Sequence, residues 1–164
     1  MKAFLNRYVD NTILLLRTFV LRLIRRTTEK SPEAIELLNQ ALHLEYTLIL
    51  YYPRIAFLIQ DEEIAKLALG LGESSIRHVD MVARAISQLG GKPKWTFDPF
   101  PSIEDAMAIL ETQLEKEEEL LGIYRRCIGL ISDISLKDDL DQLVEDRDWH
   151  VRLVEDILSR LHGE

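Results

Sequence analysis

Glu45 and Glu117, Tyr52 and Tyr124, and His78 and His150 each stand 72 residues apart in a chain of 164. Carboxylates and imidazoles are the oxygen and nitrogen ligands of iron, manganese and zinc. Buried carboxylates are costly unless a metal, a counter-charge or hydrogen bonds offset them. The same offset relates apolar residues, among them Ile35 and Met107, Leu38 and Leu110, Leu42 and Leu114, Ile49 and Leu121, Leu71 and Leu143, and Val82 and Val154. Two similar helical hairpins packed about a pseudo-twofold axis would each deliver one Glu and one His to a shared centre. The symmetry fails three residues before each histidine: Ser75 and Arg147 stand where a second pair of carboxylates would be expected.

Helical periodicity puts these residues on one level of a core. Positions 35, 38, 42, 45, 49 and 52 follow the three-and-four spacing of one helix face, and 107, 110, 114, 117, 121 and 124 repeat it. His78 falls in the series 71, 75, 78, 82, 85 and 89, and His150 in 143, 147, 150, 154, 157 and 161. Glu73 and Glu145 also repeat, but five residues before each histidine they turn to the opposite side and face solvent. Tyr52 and Tyr124 are either hydrogen-bonded across the bundle to the opposite cluster or core aromatics with satisfied hydroxyls. His43 and His162 read as surface histidines, Trp149 as packing or interface, and Cys127 as a buried thiol.

The elements that position this layer follow from caps and breakers. Ser31 and Pro32 open a helix, and Pro53 should kink or break it just beyond Tyr52. A second helix runs from about Glu62 to Leu89 and stops at Gly90 and Gly91. Pro93, Pro99 and Pro101 mark an irregular connection long enough to cross from one end of a bundle to the other. A third helix is expected over Ile103 to Leu130 and a fourth over Leu136 to Leu161, with Ser132 to Ser135 as a turn. The fold class is all-α, a four-helix bundle over residues 31–164.

Residues 1–30 form a separate unit. Their seven Lys/Arg against Asp10 and Glu29 give a balance of +5, while the remainder carries −13. A basic amphipathic helix over residues 11–26, with Leu16, Phe19, Val20, Leu23 and Ile24 on one side, would cover the bundle, a subunit interface, a membrane surface or a protein partner. Its apolar run is too short to span a bilayer, and no small-residue cleavage site follows it. With one cysteine and no signal peptide, a cytoplasmic protein is expected, peripheral at the membrane if that helix binds one. The acidic body makes nucleic acid an unsuitable partner.

The string Leu38-Asn39-Gln40-Ala41-Leu42-His43-Leu44-Glu45, with Ile49 and Tyr52, resembles the first helix of bacterioferritins and related ferritin-like proteins. The Gly90-Gly91 stop after the His78 helix resembles that family's second, and the similarity covers roughly residues 33–162. In that family a dimetal centre is built from one Glu on each of two helices and a Glu-x-x-His motif on each of the others. The resemblance therefore implies Glu45, His78, Glu117 and His150 as metal ligands, Asp146 as an acid that orients a histidine, and subunits that pair into a homodimer or larger homo-oligomer. Ser75 and Arg147 occupy both bridging-glutamate positions. Two divalent ions bring four positive charges against two carboxylates and an arginine, so an ordinary di-iron site is not expected.

Two arrangements follow. Either Arg147 forks to Glu45 and Glu117 and replaces the metals, or it turns outward and one ion of iron, manganese or zinc is held by Glu45, His78, Glu117 and His150. Nothing in the sequence signals a haem. The reading is a ferritin-like protein with a degenerate or altered di-iron site, holding at most one weakly bound ion and not an efficient ferroxidase. Its alternatives are an active metal-dependent oxidoreductase or iron-handling protein, and a metal-free helical module for assembly or membrane association.

Overall fold

The computed structural model describes residues 31–100 and 105–163, which form four helices and, among those residues, no strand. They are α1 (Pro32–Leu58), α2 (Glu62–Gln88), α3 (Ala106–Leu130) and α4 (Ile134–His162). The basic helix expected over residues 11–26 and the expected start of helix three at Ile103 lie outside the described residues. Each helix opens on a side-chain cap: Ser31, Asp61, Asp105 and Asp133 accept from the backbone N–H of Ala34, of Glu63 and Ile64, of Met107, and of Leu136 respectively. The cap by Asp133 starts α4 at Ile134, so Ser135 lies in the helix and not in the expected turn. Three-residue connections, 59–61 and 131–133, fold α1 back on α2 and α3 back on α4 as two hairpins.

Of the kink or break expected at Pro53, the break does not occur; the helix continues to Leu58. Proline costs one backbone hydrogen bond and a clash in the preceding turn. Around it Tyr51, Tyr52 and Ile55 are all buried, and their packing holds the last turn helical. At the end of α2 the double glycine acts as expected. Gly90 adopts φ +78°, and the Gly91 N–H reaches back to the Ile86 carbonyl at 2.9 Å while that of Gly90 reaches Ser87 at 3.0 Å. This is the left-handed turn that terminates a helix without a side-chain penalty.

The connection from α2 to α3 runs along the outside of α1 and is fastened to it. Asn39 Oδ1 accepts from the Lys94 N–H at 2.8 Å, and Thr47 Oγ1 from the Asp98 N–H at 3.0 Å. Tyr51 donates to the Pro99 carbonyl, Tyr46 meets Trp95 and Phe97 edge-on, and Tyr51 stacks on Phe100. Consequently α1 is engaged on two sides: Asn39, His43, Tyr46, Thr47 and Tyr51 meet the crossover, while Leu38, Leu42, Glu45 and Tyr52 are buried in the bundle core. A rigid α1 fixes the height of Glu45.

Candidate functional site

Glu45, Ser75, His78, Glu117, Arg147 and His150 are all buried, with side chains from every helix. The guanidinium of Arg147 lies at their centre. Its Nη2 donates to Glu45 Oε2 at 2.5 Å and to His78 Nδ1 at 2.5 Å, and stands 3.1 Å from Ser75 Oγ. Its Nη1 donates to Glu117 Oε2 and, at 3.0 Å, to His150 Nδ1. Each terminal nitrogen thus serves the Glu/His pair of one hairpin, and the pseudo-twofold axis of the sequence repeat passes through the guanidinium. From α4 this one side chain reaches α1, α2 and α3.

The tyrosines complete the pattern. Tyr52 donates to Glu117 Oε1 at 2.6 Å and Tyr124 to Glu45 Oε1 at 2.6 Å, so each hydroxyl crosses the bundle to the opposite hairpin's carboxylate. Every oxygen of both carboxylates has a donor. Of the two hydrogen-bonding alternatives for the tyrosines, the cross-bundle one is present. Burial, and then the carboxylate each one bonds, raises both phenols well above their ordinary value and keeps them protonated donors.

Acceptance at Nδ1 leaves His78 its proton on Nε2, which lies 3.1 Å from Asp146 Oδ2. Asp146 therefore orients His78 across the α2–α4 seam rather than the adjacent His150, and the same oxygen accepts from Arg77 at 3.0 Å. Arg77, exposed and outside the core register, gave no signal in the sequence. His150 Nε2 is buried with no partner among the described residues, and so is Arg147 Nε. Burial lowers the His150 pKa, and the Arg147 charge adds to that against the opposing pull of Glu117. For Glu117, burial alone would raise the carboxyl; the Arg147 guanidinium, with the adjacent His150 ring and the hydrogen bond from Tyr52, overrides it and holds the pKa at about 2. Arg147 is held firmly protonated: burial works against its charge, and Glu117 and Glu45 more than reverse that.

The layer as built does not fit a metal. All four atoms that would ligate, one oxygen of each Glu and Nδ1 of each His, are turned onto hydrogens of a cation. Among the described residues no three His, Cys, Asp or Glu side chains are grouped to hold an ion. Elsewhere, Glu73 and Glu145 are exposed as expected, Trp149 is 54% exposed beside His150, and Cys127 is buried with its thiol pushed up to about 12 by that burial. His43 is less free than its surface register suggested: its ring nitrogens stand 3.0 Å from Thr96 Oγ1 and 3.0 Å from Asp98 Oδ1 on the crossover.

A crossed four-helix bundle with two Glu/His pairs at one level has a family. The ferritin-like domain family matches residues 35–163. A bacterioferritin from Rhodobacter capsulatus is 32% identical over 134 residues, covering 77% of this chain and 83% of that protein. The chain belongs to the ferritin-like family. The solved Rhodobacter capsulatus bacterioferritin, described with a metal-free dinuclear site and haem iron, superposes with a TM-score of 0.69 at 27% identity, over 83% of this chain and 89% of that one. Two further structures share the ferritin-like fold: the Desulfovibrio desulfuricans bacterioferritin, with a di-iron site (TM-score 0.70, 22% identity, 84% of each chain), and a dodecameric thioferritin from Bacteroides fragilis (0.72, 18%, 90% and 95%).

Proposed function

We propose that this chain is a ferritin-like subunit whose dimetal position is filled by its own arginine, and that it acts through its fold and assembly rather than as a ferroxidase. The observation that carries this reading is the contact of Arg147 with both carboxylates and both Nδ1 atoms of the inherited ligand set. One guanidinium charge offsets half of the charge on Glu45 and Glu117, and with Tyr52 and Tyr124 it gives every carboxylate oxygen a donor, without a redox-active centre. Held at four helices, it sets their register; a buried polar layer used for registry has precedent.

Assembly is the second element of the proposal. The thioferritin relative is a dodecamer, and this bundle leaves Phe57, Ile76 and Trp149 more than half exposed. Large apolar side chains at that exposure suit contacts between subunits of a homodimer or larger homo-oligomer. The test is direct. Protein purified without chelator should carry metal well below one ion per chain and oxidise ferrous iron no faster than buffer. Stoichiometric iron with oxygen consumption above the buffer rate would overturn the proposal in favour of an active iron-handling enzyme.

A further inference from the structure

Within each Glu/His pair, an oxygen and a nitrogen stand close enough to share one ion. Glu45 Oε1 lies 3.6 Å from His78 Nδ1, and Glu117 Oε1 lies 3.5 Å from His150 Nδ1. Two ligands on one tetrahedral ion, with bonds of 2.0–2.2 Å, are separated by roughly 3.3–3.6 Å. Asp146 still fixes the tautomer of His78 so that Nδ1, the nitrogen facing the centre, carries the lone pair. Such support from outside the ligand set governs whether a histidine can bind metal.

We infer that Arg147 is the centre's resident cation, one terminal nitrogen for each Glu/His pair, and that this side chain alone keeps the layer from taking one divalent transition-metal ion. The inference rests on the proposed function and goes beyond it by naming both the gate and what lies behind it. Removing the guanidinium leaves two carboxylates, whose two negative charges match a single divalent cation and fall short of two. Two carboxylate oxygens and two imidazole nitrogens then form a closed set suited to zinc, cobalt, manganese or ferrous iron.

Arg147→Ala tests it, titrated with Co2+, whose visible bands report a four-coordinate nitrogen and oxygen environment without any enzymatic readout. The expected result is about one Co2+ per chain with those bands in the variant and none in the parent protein, lost again when His78→Ala and His150→Ala are added. A folded Arg147→Ala protein that takes up no Co2+ overturns the inference while leaving the proposed function standing; Co2+ bands in the parent protein overturn both. Should Arg147→Ala fail to fold by itself, refolding is followed with Co2+ or with millimolar guanidinium chloride against matched sodium chloride. Recovery of helicity with Co2+ supports the latent site. Recovery with guanidinium alone, or with neither, counts against it.

Discussion

Glu117 shows most clearly what Arg147 does to its surroundings. A carboxyl deep in a core should resist ionising, yet this one is held at about 2 against an ordinary 4.5. The sign of the consequence follows from linkage. Because the folded value is depressed, the stabilisation is fully present above about 4.5 and is lost as pH falls through about 2. His150 acts in the same direction from higher pH. Its folded pKa lies below 6.5, so in the unfolded chain it takes up a proton that the folded core refuses. Unfolding free energy measured in urea should therefore decline as pH drops below about 6.5 and fall more steeply below about 4.5. Glu117→Gln should make the lower limb shallower; an unchanged slope in that variant would mean that Glu117 is not held ionised by Arg147. The identity and level of these residues were legible in the sequence because inward register is a matter of spacing. The direction of Arg147 was not, since both a buried fork and an outward turn satisfy the same register.

At the scale of elements, the repeat predicted the hairpins and the glycine stop predicted the end of α2, but two features escaped. Pro53 reads locally as a breaker, and only the burial of its neighbours keeps α1 helical to Leu58. The outer side of α1 carries Asn39, His43, Tyr46 and Thr47, and periodicity does not say that anything covers it. The covering partner is a proline-rich segment more than 40 residues on, held by Asn39 and Thr47, whose polar side chains carry no periodic signal. The start of that segment makes a sharp prediction. A Cβ on Gly91 would come within 2.7 Å of Ile35 Cγ2 and 2.9 Å of Ile86 Cγ2, with the Ile86 carbonyl at 3.1 Å. Gly91→Ala should cost about 1–3 kcal/mol by overpacking, read as a lower thermal midpoint with the fold retained. A midpoint equal to that of the parent would show that α2 and the crossover part more easily than this packing implies.

The whole molecule is a bundle whose two halves meet through charge as well as through apolar packing. One guanidinium ties α4 to the other three helices in a single buried layer. Removing one partner of a buried ion pair typically costs 3–5 kcal/mol, whereas replacing the whole pair with apolar groups can be neutral. The two carboxylates, two imidazoles and Arg147 therefore have to be judged as one unit. Fold and family were readable from the repeat; what the centre holds depended on a single rotamer that no sequence pattern encodes. The most direct measurement of the central claim is a crystal structure from protein exposed to ferrous iron, with anomalous data collected at the iron edge. The account predicts Arg147 forked between Glu45 and Glu117 and no anomalous peak in that layer. A peak bounded by Glu45, His78, Glu117 and His150, with Arg147 turned to solvent, would contradict it.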